Sequence, residues 1–390
     1  MQIQFAERFT GITGSEIRKI FALLSDPEMI SLAGGNPSPK SFPSKKMAEL
    51  SAEIIEHEGE FALQYGNTPG ISPLIELIKQ ENQDILRPED DVLILSGSSQ
   101  GIDFAARTLL DPGDAILVES PTFLGALQTF MIAQADIHEV AMCADGMDLT
   151  DLEDKLKKYS PKFVYTIPTF QNPSGLTTSA EKRKAIYELC AKYHALILED
   201  DPYCELRYEG EALPSIKSFD RLGIVIKLMS YSKTISPGLR VGAVLADREI
   251  VHEFNLCKQG ADVHTSNLSQ YLVYEYIRRG YLAPHIQEIR AMYKQQRDVM
   301  LEAVENCFPK EVCVNRPMGG LFVWCELPGH MDAKELFAKC VERKVAFVPG
   351  GPFYARDPHK NTLRLNFSMP SKENIQKGIA IIGEVIKENL

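Results

Sequence analysis

The chain has 390 residues, of which 44% are hydrophobic and 24% are charged, and its formal net charge is −11 at pH 7. These proportions are ordinary for a globular protein, and the length suits one large domain with a smaller one. The negative charge argues against nucleic acid or an anionic membrane as a partner, because both attract clustered Lys and Arg. No apolar stretch approaches the roughly 18 residues that a membrane-spanning helix needs.

The N-terminus and the cysteines predict a cytoplasmic protein. The first residues lack a basic region followed by an apolar run, so we expect no secretory signal. The eight cysteines form no CxxC pair and show no Cys/His metal spacing. We therefore expect small, buried, reduced thiols, with neither a disulfide framework nor a metal site.

The first 45 residues are expected to form an N-terminal segment that packs with the small domain and the substrate site. Apolar spacing predicts a short helix from Ser15 to Leu24. Gly34 and Gly35 then allow the backbone to come close to another group. For these two glycines, an ordinary loop and a substrate contact are equally good interpretations.

Two helices are predicted next, over 44–58 and over about 72–82. The turn-rich connector between them, Gln64–Ile71, carries Tyr65. Considered alone, an aromatic hydroxyl on such a loop is more often a surface packing residue than part of a site.

Between residues 91 and 246, short apolar runs rich in β-branched residues alternate with helical patterns. Seven runs are predicted to be strands: Val92–Leu95, Ala115–Val118, Ile137–Ala141, Phe163–Ile167, Ala195–Leu198, Ile224–Met229 and Val241–Ala246. Strands that are apolar throughout and alternate with helices predict one large α/β domain with a mostly parallel, seven-stranded sheet covered on both faces. The absence of GxGxxG after an early strand argues against a Rossmann dinucleotide site.

Helices are predicted between several of these strands. The patterns are Gly101–Leu110, Leu124–Ala133 and Ala180–Tyr193. The last of them follows a capping-box pattern, in which Thr178 would cap the helix together with Glu181.

Chemistry in such a sheet gathers at the carboxyl ends of the strands, and five predicted strands end in chemically useful groups. After the first, Ser96–Gly101 opens a helix, where N–H groups and hydroxyls could bind phosphate, although plain N-capping is the alternative. The next three ends carry Phe123, Asn172, and Asp200 with Tyr203. The fifth leads into a stretch that contains a lysine.

That stretch, Lys227–Gly242, carries Lys233 between hydroxyls and an arginine. The amine can form a Schiff base with an aldehyde, while Ser230, Ser232 and Arg240 can bind a phosphate through charge-assisted hydrogen bonds. A polar loop with a solvated lysine is the alternative. The groups at the other strand ends favour an enzyme that holds a phosphorylated aldehyde covalently.

The C-terminal third is predicted to be helical over 247–295, followed by a smaller α+β domain. Its predicted elements are helices at Asn267–Arg279, His285–Gln296, 296–306, Ala333–Arg343 and Lys372–Glu388, with strands near Val312–Val314, Gly320–Glu326, Val345–Val348 and Thr362–Phe367. In the last strand, Arg364 lies on the face opposite the apolar residues. A solvated arginine is the default for this position, and a bidentate clamp for a carboxylate is the alternative.

The motifs occur together in a recognisable order. The pattern Ser-x-Ser-Lys-x-x-x-Pro-Gly-x-Arg-x-Gly is complete from Ser230 to Gly242, and Asn172-Pro-x-Gly, Asp200-x-x-Tyr and Arg364 match in sequence. Over nearly its whole length the chain resembles the class I/II aminotransferases, which are fold type I enzymes dependent on pyridoxal 5'-phosphate (PLP). The segments Leu-Ala-Gly-Gly-Asn-Pro and Glu-Asp-Asp-Pro-Tyr are similar to the subgroup of 2-aminoadipate, kynurenine and other multi-substrate aminotransferases.

The resemblance implies a role for each matched residue. Lys233 would hold PLP covalently and shuttle a proton, Asp200 would pair with the pyridine nitrogen, and Phe123 would stack on the ring. Asn172 and Tyr203 would hydrogen-bond the ring oxygen. The phosphate would be bound by Ser98, Ser99, Ser230, Ser232 and Arg240. Relatives often carry Gln or Ala at position 99, but the backbone contact should survive that change.

The resemblance also implies how substrate and subunits are arranged. Arg364 would bind the α-carboxylate of the substrate, close to Gly35 and Asn172. Tyr65 would reach the phosphate of a neighbouring subunit, so we expect a homodimer with shared active sites. Residues 8–24 would form part of the substrate wall, where Arg18 is a candidate for a distal carboxylate, although a solvated arginine is the commoner situation.

The activity implied is transfer of an amino group from an L-amino acid to a 2-oxo acid, with 2-oxoglutarate as the expected acceptor. Another PLP reaction, such as β-elimination, stays open because this fold supports several chemistries. A regulatory module that has lost catalysis is a further alternative, although its lysine should then be missing and Lys233 is intact. The expected boundaries are 1–45 for the N-terminal segment, 46–280 for the large domain and 281–390 for the small domain.

Overall fold

The computed structural model describes residues 3–10, 12 and 26–390. The helix predicted from Ser15 to Leu24, and Arg18 within it, lie outside the described residues. The strands are β1 (Ile30–Ser31), β2 (Asp90–Leu95), β3 (Ala115–Ser120), β4 (Asp136–Cys143), β5 (Gly146–Met147), β6 (Phe163–Thr166), β7 (Leu196–Asp200), β8 (Val225–Ser230), β9 (Gly242–Asp247), β10 (Cys313–Val314), β11 (Phe322–Glu326), β12 (Val345–Ala346), β13 (Val348–Pro349) and β14 (Thr362–Asn366).

The α-helices lie between and after these strands. They are α1 (Ser44–Ala62), α2 (Ser72–Glu81), α3 (Ser98–Leu109), α4 (Leu124–Ile132), α5 (Leu149–Tyr159), α6 (Ala180–Tyr193), α7 (Arg248–Ala261), α8 (Asn267–Arg278), α9 (Leu282–Cys307), α10 (Ala333–Glu342) and α11 (Lys372–Lys387). Within the described part of the chain, no helix is both long and apolar enough to cross a lipid bilayer.

The large sheet has the strand order β2-β9-β8-β7-β6-β3-β4-β5. Every predicted strand is present, and the α/β class is confirmed. Neighbours from β4 through β3, β6 and β7 to β8 are parallel, whereas β9 runs antiparallel to both β8 and β2. The prediction of seven strands was wrong by one, because β5 pairs with the end of β4 over only two residues and leaves no detectable periodicity.

Successive residues of a strand point to opposite faces of the sheet. Because these strands are apolar throughout, both faces are apolar and both are covered by helices. In β3, Ile116 and Val118 join the core beneath α3, α4 and α7, whereas Leu117 joins a separate core beneath α5 and α6. Helix α5 was not predicted. It is capped by the Asp148 side chain, which accepts hydrogen bonds from the N–H groups of Thr150 and Asp151.

Two helix predictions differ from the structure in detail. Helix α6 begins at Ala180 as predicted, but its N-cap is Ser179, whose side chain accepts from the N–H of Lys182. The N–H of Thr178 donates to the Pro168 carbonyl in the preceding loop, so it is not available to Glu181 for a capping box. The two helices predicted at 285–296 and 296–306 form the single helix α9.

The C-terminal part forms a second sheet, with the order β10-β11-β14-β13, beside a parallel pair of β1 and β12. The strand predicted at 345–348 is divided, since β12 pairs with β1 and β13 pairs with β14. Leu32 extends the first pairing, because its N–H donates to the Ala346 carbonyl and its own carbonyl accepts from Asn366. The N-terminal chain around residues 30–36 is therefore attached to the C-terminal sheet, next to Arg364.

Candidate active site

A cavity of about 330 Å³ lies where β2, β3, β6, β7 and β8 reach their carboxyl ends. Every predicted site residue except Tyr65 lines it: Gly35, Ser98, Ser99, Phe123, Asn172, Asp200, Tyr203, Ser230, Ser232, Lys233, Arg240 and Arg364. Asn36, Ile167, Pro202 and Pro237 also line it and were not predicted. The parallel sheet brings these groups together because its strand ends share one edge.

Tyr65 lies elsewhere, on the loop between α1 and α2. Its side chain is 83% exposed, and its ring makes an edge contact with the ring of His264 at 6.0 Å between centroids. It does not line the cavity of its own chain.

Lys233 follows β8, and its amine points into the cavity. Nζ donates a hydrogen bond of 3.0 Å to the Gly35 carbonyl and lies 5.9 Å from the centroid of the Tyr203 ring. Burial lowers the pKa of the amine to about 8, and the charges of Arg364 and Arg240 act in the same direction. A substantial neutral fraction near physiological pH makes this amine a competent nucleophile.

Asp200 ends β7 and is almost completely buried. Its Oδ2 accepts a hydrogen bond of 3.0 Å from the Tyr165 hydroxyl, while Oδ1 has no partner in the part of the chain that the structure describes. Burial raises the pKa of Asp200 to about 7, and the hydrogen bond from Tyr165 acts in the opposite direction. Buried carboxylate oxygens are normally hydrogen-bonded. We therefore expect Oδ1 to accept a hydrogen bond from a donor that binds in the cavity.

Arg364 is buried in β14, so the default expectation of a solvated arginine was wrong. Nη1 donates to Oδ1 of Asn172 at 2.8 Å and Nη2 to the Ala33 carbonyl at 3.0 Å, while Nε has no partner within residues 3–10, 12 and 26–390. The guanidinium carbon lies 4.3 Å and 5.2 Å from the ring centroids of Phe322 and Phe353. Burial lowers the pKa of Arg364 to about 10, because no carboxylate pairs with it among the described residues.

The end of the cavity near α3 is rich in hydrogen-bond donors. Helix α3 begins at Ser98, and the N–H groups of Ser98 and Ser99 precede the first hydrogen bond of the helix, which Gln100 donates to the Gly97 carbonyl. Nη2 of Arg240 donates to the Ser96 carbonyl at 2.9 Å, just before the helix. Gly97 has φ of +87°, and a Cβ there would collide with the Arg240 guanidinium. Donors at a helix N-terminus beside an arginine form an anion site.

Tyr165 and Glu119 are buried polar residues that sequence analysis did not assign to the site. Glu119 accepts hydrogen bonds from Thr166 at 2.5 Å and from Gln171 at 3.0 Å, and thereby fixes the loop that carries Asn172. Burial raises the pKa of Glu119 to about 7, although the hydrogen bonds from Thr166 and Gln171 favour the ionised form. The contact between Tyr165 and Asp200 depends on the register of β6 against β7, which the sequence does not show. Tyr165 pairs with Leu198, two residues before Asp200.

The sequence profile described as "Aminotransferase class I and II" matches residues 27–382. The chain belongs to this family. The aromatic-amino-acid aminotransferase 1 of Thermococcus litoralis is 40% identical over 394 residues, covering 99% of this chain and 94% of the relative. The 2-aminoadipate transaminase of Thermus thermophilus is 40% identical over 380 residues, covering 96% and 94%.

Solved structures agree with this assignment. The kynurenine aminotransferase of Pyrococcus horikoshii, crystallised in complex with PMP, superposes with a TM-score of 0.95 at 40% identity, covering 99% of this chain and 97% of the other. The resemblance to the 2-aminoadipate and kynurenine subgroup is thus confirmed, as is fold type I. The protein is a PLP-dependent aminotransferase.

The cavity fits this cofactor chemically. The unpartnered Oδ1 of Asp200 suits the N–H of a protonated pyridine ring. The N-terminus of α3 and Arg240 suit a phosphate, and the Lys233 amine suits an aldehyde. The ring nitrogen, the phosphate and the aldehyde of PLP therefore each have a chemically matched group in the cavity.

Proposed function

We propose that Lys233, Asp200 and Tyr203 are the catalytic residues of this aminotransferase and that Arg364 anchors its substrate. One observation carries the proposal: the cavity that holds the Lys233 amine also contains two buried charged groups that each keep an atom without a partner among the described residues, Oδ1 of Asp200 and Nε of Arg364. Leaving such atoms unpaired is unfavourable. A cofactor N–H and a substrate carboxylate would satisfy them.

Further residues would hold the cofactor. Phe123 would stack on its ring, and Asn172 would hydrogen-bond the ring oxygen together with Tyr203. Its phosphate would be bound by Ser98, Ser99, Ser230, Ser232 and Arg240. When bound, PLP supplies an electron-accepting ring that stabilises negative charge developing at the substrate Cα.

The residues of the chain would then position the substrate and move a proton. Arg364 would hold the α-carboxylate in a bidentate contact, which fixes the direction of the Cα–H bond. Gly35, beside Lys233, leaves room for the substrate at this point. Nζ of Lys233 would accept the α-proton, since it is mostly neutral above about pH 8. The negative charge of Asp200 would keep the ring nitrogen protonated.

We infer that the donors include aromatic and dicarboxylic amino acids and that 2-oxoglutarate is an acceptor. The relatives named for aromatic amino acids and for 2-aminoadipate are both 40% identical to this chain over nearly its full length. Incubation with a panel of L-amino acids and 2-oxoglutarate tests this, with glutamate and new 2-oxo acids as the expected products. Ammonia release without glutamate would instead indicate β-elimination, and full turnover by Lys233→Ala would refute the catalytic assignment.

We further propose a homodimer in which Tyr65 of one subunit serves the active site of the other. In support, Tyr65 is remote from its own cavity, and the nearby Phe61 and Leu63 are 60% and 66% exposed. Mixing Tyr65→Ala subunits with Lys233→Ala subunits tests the arrangement. Hybrid dimers should regain activity, because one site then contains both an intact lysine and an intact tyrosine. No recovery in verified hybrids would contradict the proposal.

We also propose the domain limits 46–280 and 281–390, with 1–45 as an N-terminal segment, and a cytoplasmic location. The start of α9 at Leu282 supports the boundary between the domains, and the pairing of β1 with β12 supports attachment of the N-terminal segment to the small domain. All eight cysteines are free thiols, which suits a reducing compartment, although the expectation that they are buried was wrong for Cys143, Cys204 and Cys313, which are exposed.

A further inference from the structure

We propose that Lys258 and Asp262 are positioning residues that hold the phosphate end of the cofactor site in place and connect it to the loop carrying Tyr65. Neither residue lines the cavity. The inference rests on the proposed function, because it assumes that the N-terminus of α3 and Arg240 bind the PLP phosphate. It adds that cofactor affinity and subunit association share one polar cluster, which surrounds the buried Lys258 ammonium.

Lys258 lies in α7, and its side chain has no exposed surface. Its ammonium donates to Oε1 of Gln100 at 2.8 Å, to Oδ1 of Asp262 at 2.9 Å and to Oγ1 of Thr265 at 3.0 Å. A buried ammonium is tolerated only when its charge and its three donors are satisfied. These acceptors are therefore held at fixed positions around one nitrogen.

The cluster forms hydrogen bonds with Ser96, the residue that precedes the phosphate site. The N–H of Ser96 donates to Oε1 of Gln100 at 2.8 Å, and its hydroxyl donates to Oδ2 of Asp262 at 2.6 Å. Nε2 of Gln100 donates to the same carboxylate oxygen at 2.9 Å. The Ser96 carbonyl, in turn, accepts from Arg240. Loss of the ammonium would therefore release both the start of α3 and the anchor of Arg240.

The same cluster reaches the loop that carries Tyr65. The Thr265 carbonyl accepts from Nε2 of Gln270 at 2.7 Å, and Oε1 of Gln270 accepts from the N–H of Ile71 at 2.8 Å. His264, next to Thr265, makes the ring contact with Tyr65. The 64–71 loop is thus contacted by Gln270 and His264, and both of these residues are connected to Lys258 through Thr265. Because binding free energies are reciprocal, tighter PLP binding and tighter subunit association should promote each other.

Lys217 provides a matched control. It too is completely buried, and its ammonium pairs with Asp90 and Asp220 at 2.9 Å each. Asp90 is the first residue of β2, so this cluster lies at the opposite end of that strand from Ser98. Removal of either lysine leaves a carboxylate without its ammonium, and both changes should destabilise the fold. Only the loss of Lys258 should disturb the phosphate site.

The experiment compares Lys258→Met with Lys217→Met in the full-length chain. PLP is titrated into each apo protein by absorbance, and the dimer dissociation constant is measured by sedimentation with and without PLP. Lys258→Met should raise the Kd for PLP about tenfold or more, as expected for loss of charge-assisted hydrogen bonds. It should also reduce the strengthening of the dimer by PLP. Lys217→Met should lower Tm while leaving both properties unchanged.

Thr265 keeps the test decisive if Lys258→Met does not fold. Thr265→Val removes the hydroxyl that accepts from Lys258 and should weaken PLP binding, whereas Thr265→Ser keeps it and should bind normally. Equal effects of the two lysine variants on PLP affinity, or no difference between the two Thr265 variants, would overturn the positioning role. A wild-type dimer that PLP does not strengthen would overturn the coupling. Failure of the proposed function would appear earlier, as a wild-type protein that does not bind PLP.

Discussion

Tyr165 donates a hydrogen bond of 3.0 Å to Asp200, and both side chains are buried. The contact occupies Oδ2 and leaves Oδ1 as the unpartnered oxygen of a carboxylate that lines the cavity. A neutral hydroxyl thus orients the buried carboxylate without neutralising it. Two neighbouring strands supply the pair, β6 and β7, so the orientation is built into the sheet.

Tyr165→Phe is predicted to move the acid limb of the pH profile of kcat/KM to higher pH. The hydroxyl favours the ionised form of Asp200, so its removal raises the pKa of that carboxyl further above its ordinary value. A hydrogen bond to a charged group contributes about 1.5 kcal/mol, which corresponds to about one pH unit. Tyr187→Phe, which removes another buried hydroxyl outside the cavity, should leave the profile unchanged. Superimposable profiles for Tyr165→Phe and wild type would contradict the prediction.

The rate at which apo protein attaches PLP should rise with pH and level off above about pH 8. Burial, together with Arg364 and Arg240, lowers the pKa of the Lys233 amine to about 8, and only the neutral amine is nucleophilic. Absorbance changes after rapid mixing with PLP measure the rate. Removal of one nearby positive charge in Arg364→Gln should shift the midpoint to higher pH. A wild-type midpoint near 10 would show that the amine is not perturbed.

The same lowered pKa predicts a pH-dependent stability of the apo protein. Between about pH 8 and 10.5 the unfolded chain binds more protons at Lys233 than the folded chain does, so the free energy of unfolding rises with pH across this window. The contribution is present above the unfolded pKa and is lost as pH falls to about 8. Lys233→Met should be more stable than wild type at pH 7 and should lose this rise. Parallel stability curves from urea unfolding would disprove it.

Arg364→Lys should raise KM for the amino acid about 10- to 100-fold. A lysine cannot reproduce the planar fork that contacts Asn172 and Ala33 and packs between two aromatic rings. The estimate corresponds to the loss of a charge-assisted hydrogen bond. Steady-state kinetics give KM, and a PLP titration serves as the control, since Arg364 is assigned to the substrate. A large loss of PLP affinity with unchanged KM would reverse that assignment.

Gly97→Ala should weaken PLP binding, while Gly113→Ala should not. Both glycines have positive φ, +87° and +90°, so each alanine strains the backbone by about 1 kcal/mol. A Cβ at Gly97 would also displace the Arg240 guanidinium, whereas a Cβ at Gly113 meets nothing within 4 Å. We expect the two variants to lose similar amounts of Tm. Only Gly97→Ala should have a higher Kd for PLP. Equal Kd values would show that Arg240 adjusts without cost.

Much of the fold was predictable because its elements have local signatures. The seven apolar runs indicated the main strands, and the residues after five of them indicated which side chains would share an edge. The alternation around Arg364 placed it on a strand opposite the apolar residues. These inferences need only the periodicity of the chain and the rule that parallel strands end together.

Other features depended on contacts between distant segments. The capping pattern at Thr178 was misleading because Ser179 is the N-cap and the Thr178 N–H bonds a loop carbonyl, which leaves it unavailable to Glu181. Strand β1 has two residues and exists only because β12 pairs with it. Such pairings leave no trace in local periodicity, so a sequence pattern cannot reveal them.

For the site, the sequence by itself determined which chemical groups are present and that they would gather around Lys233. The tertiary structure set the burial, the hydrogen bonds and the pKa values of these groups. It buried Arg364 without a carboxylate, set Tyr165 against one oxygen of Asp200 and kept Tyr65 exposed. Burial and hydrogen bonding depend on what surrounds a side chain in space. They determine its pKa and whether its polar atoms have hydrogen-bond partners. Those properties therefore follow from packing between β6, β7, β14 and the N-terminal segment, rather than from the order of residues along any one of them.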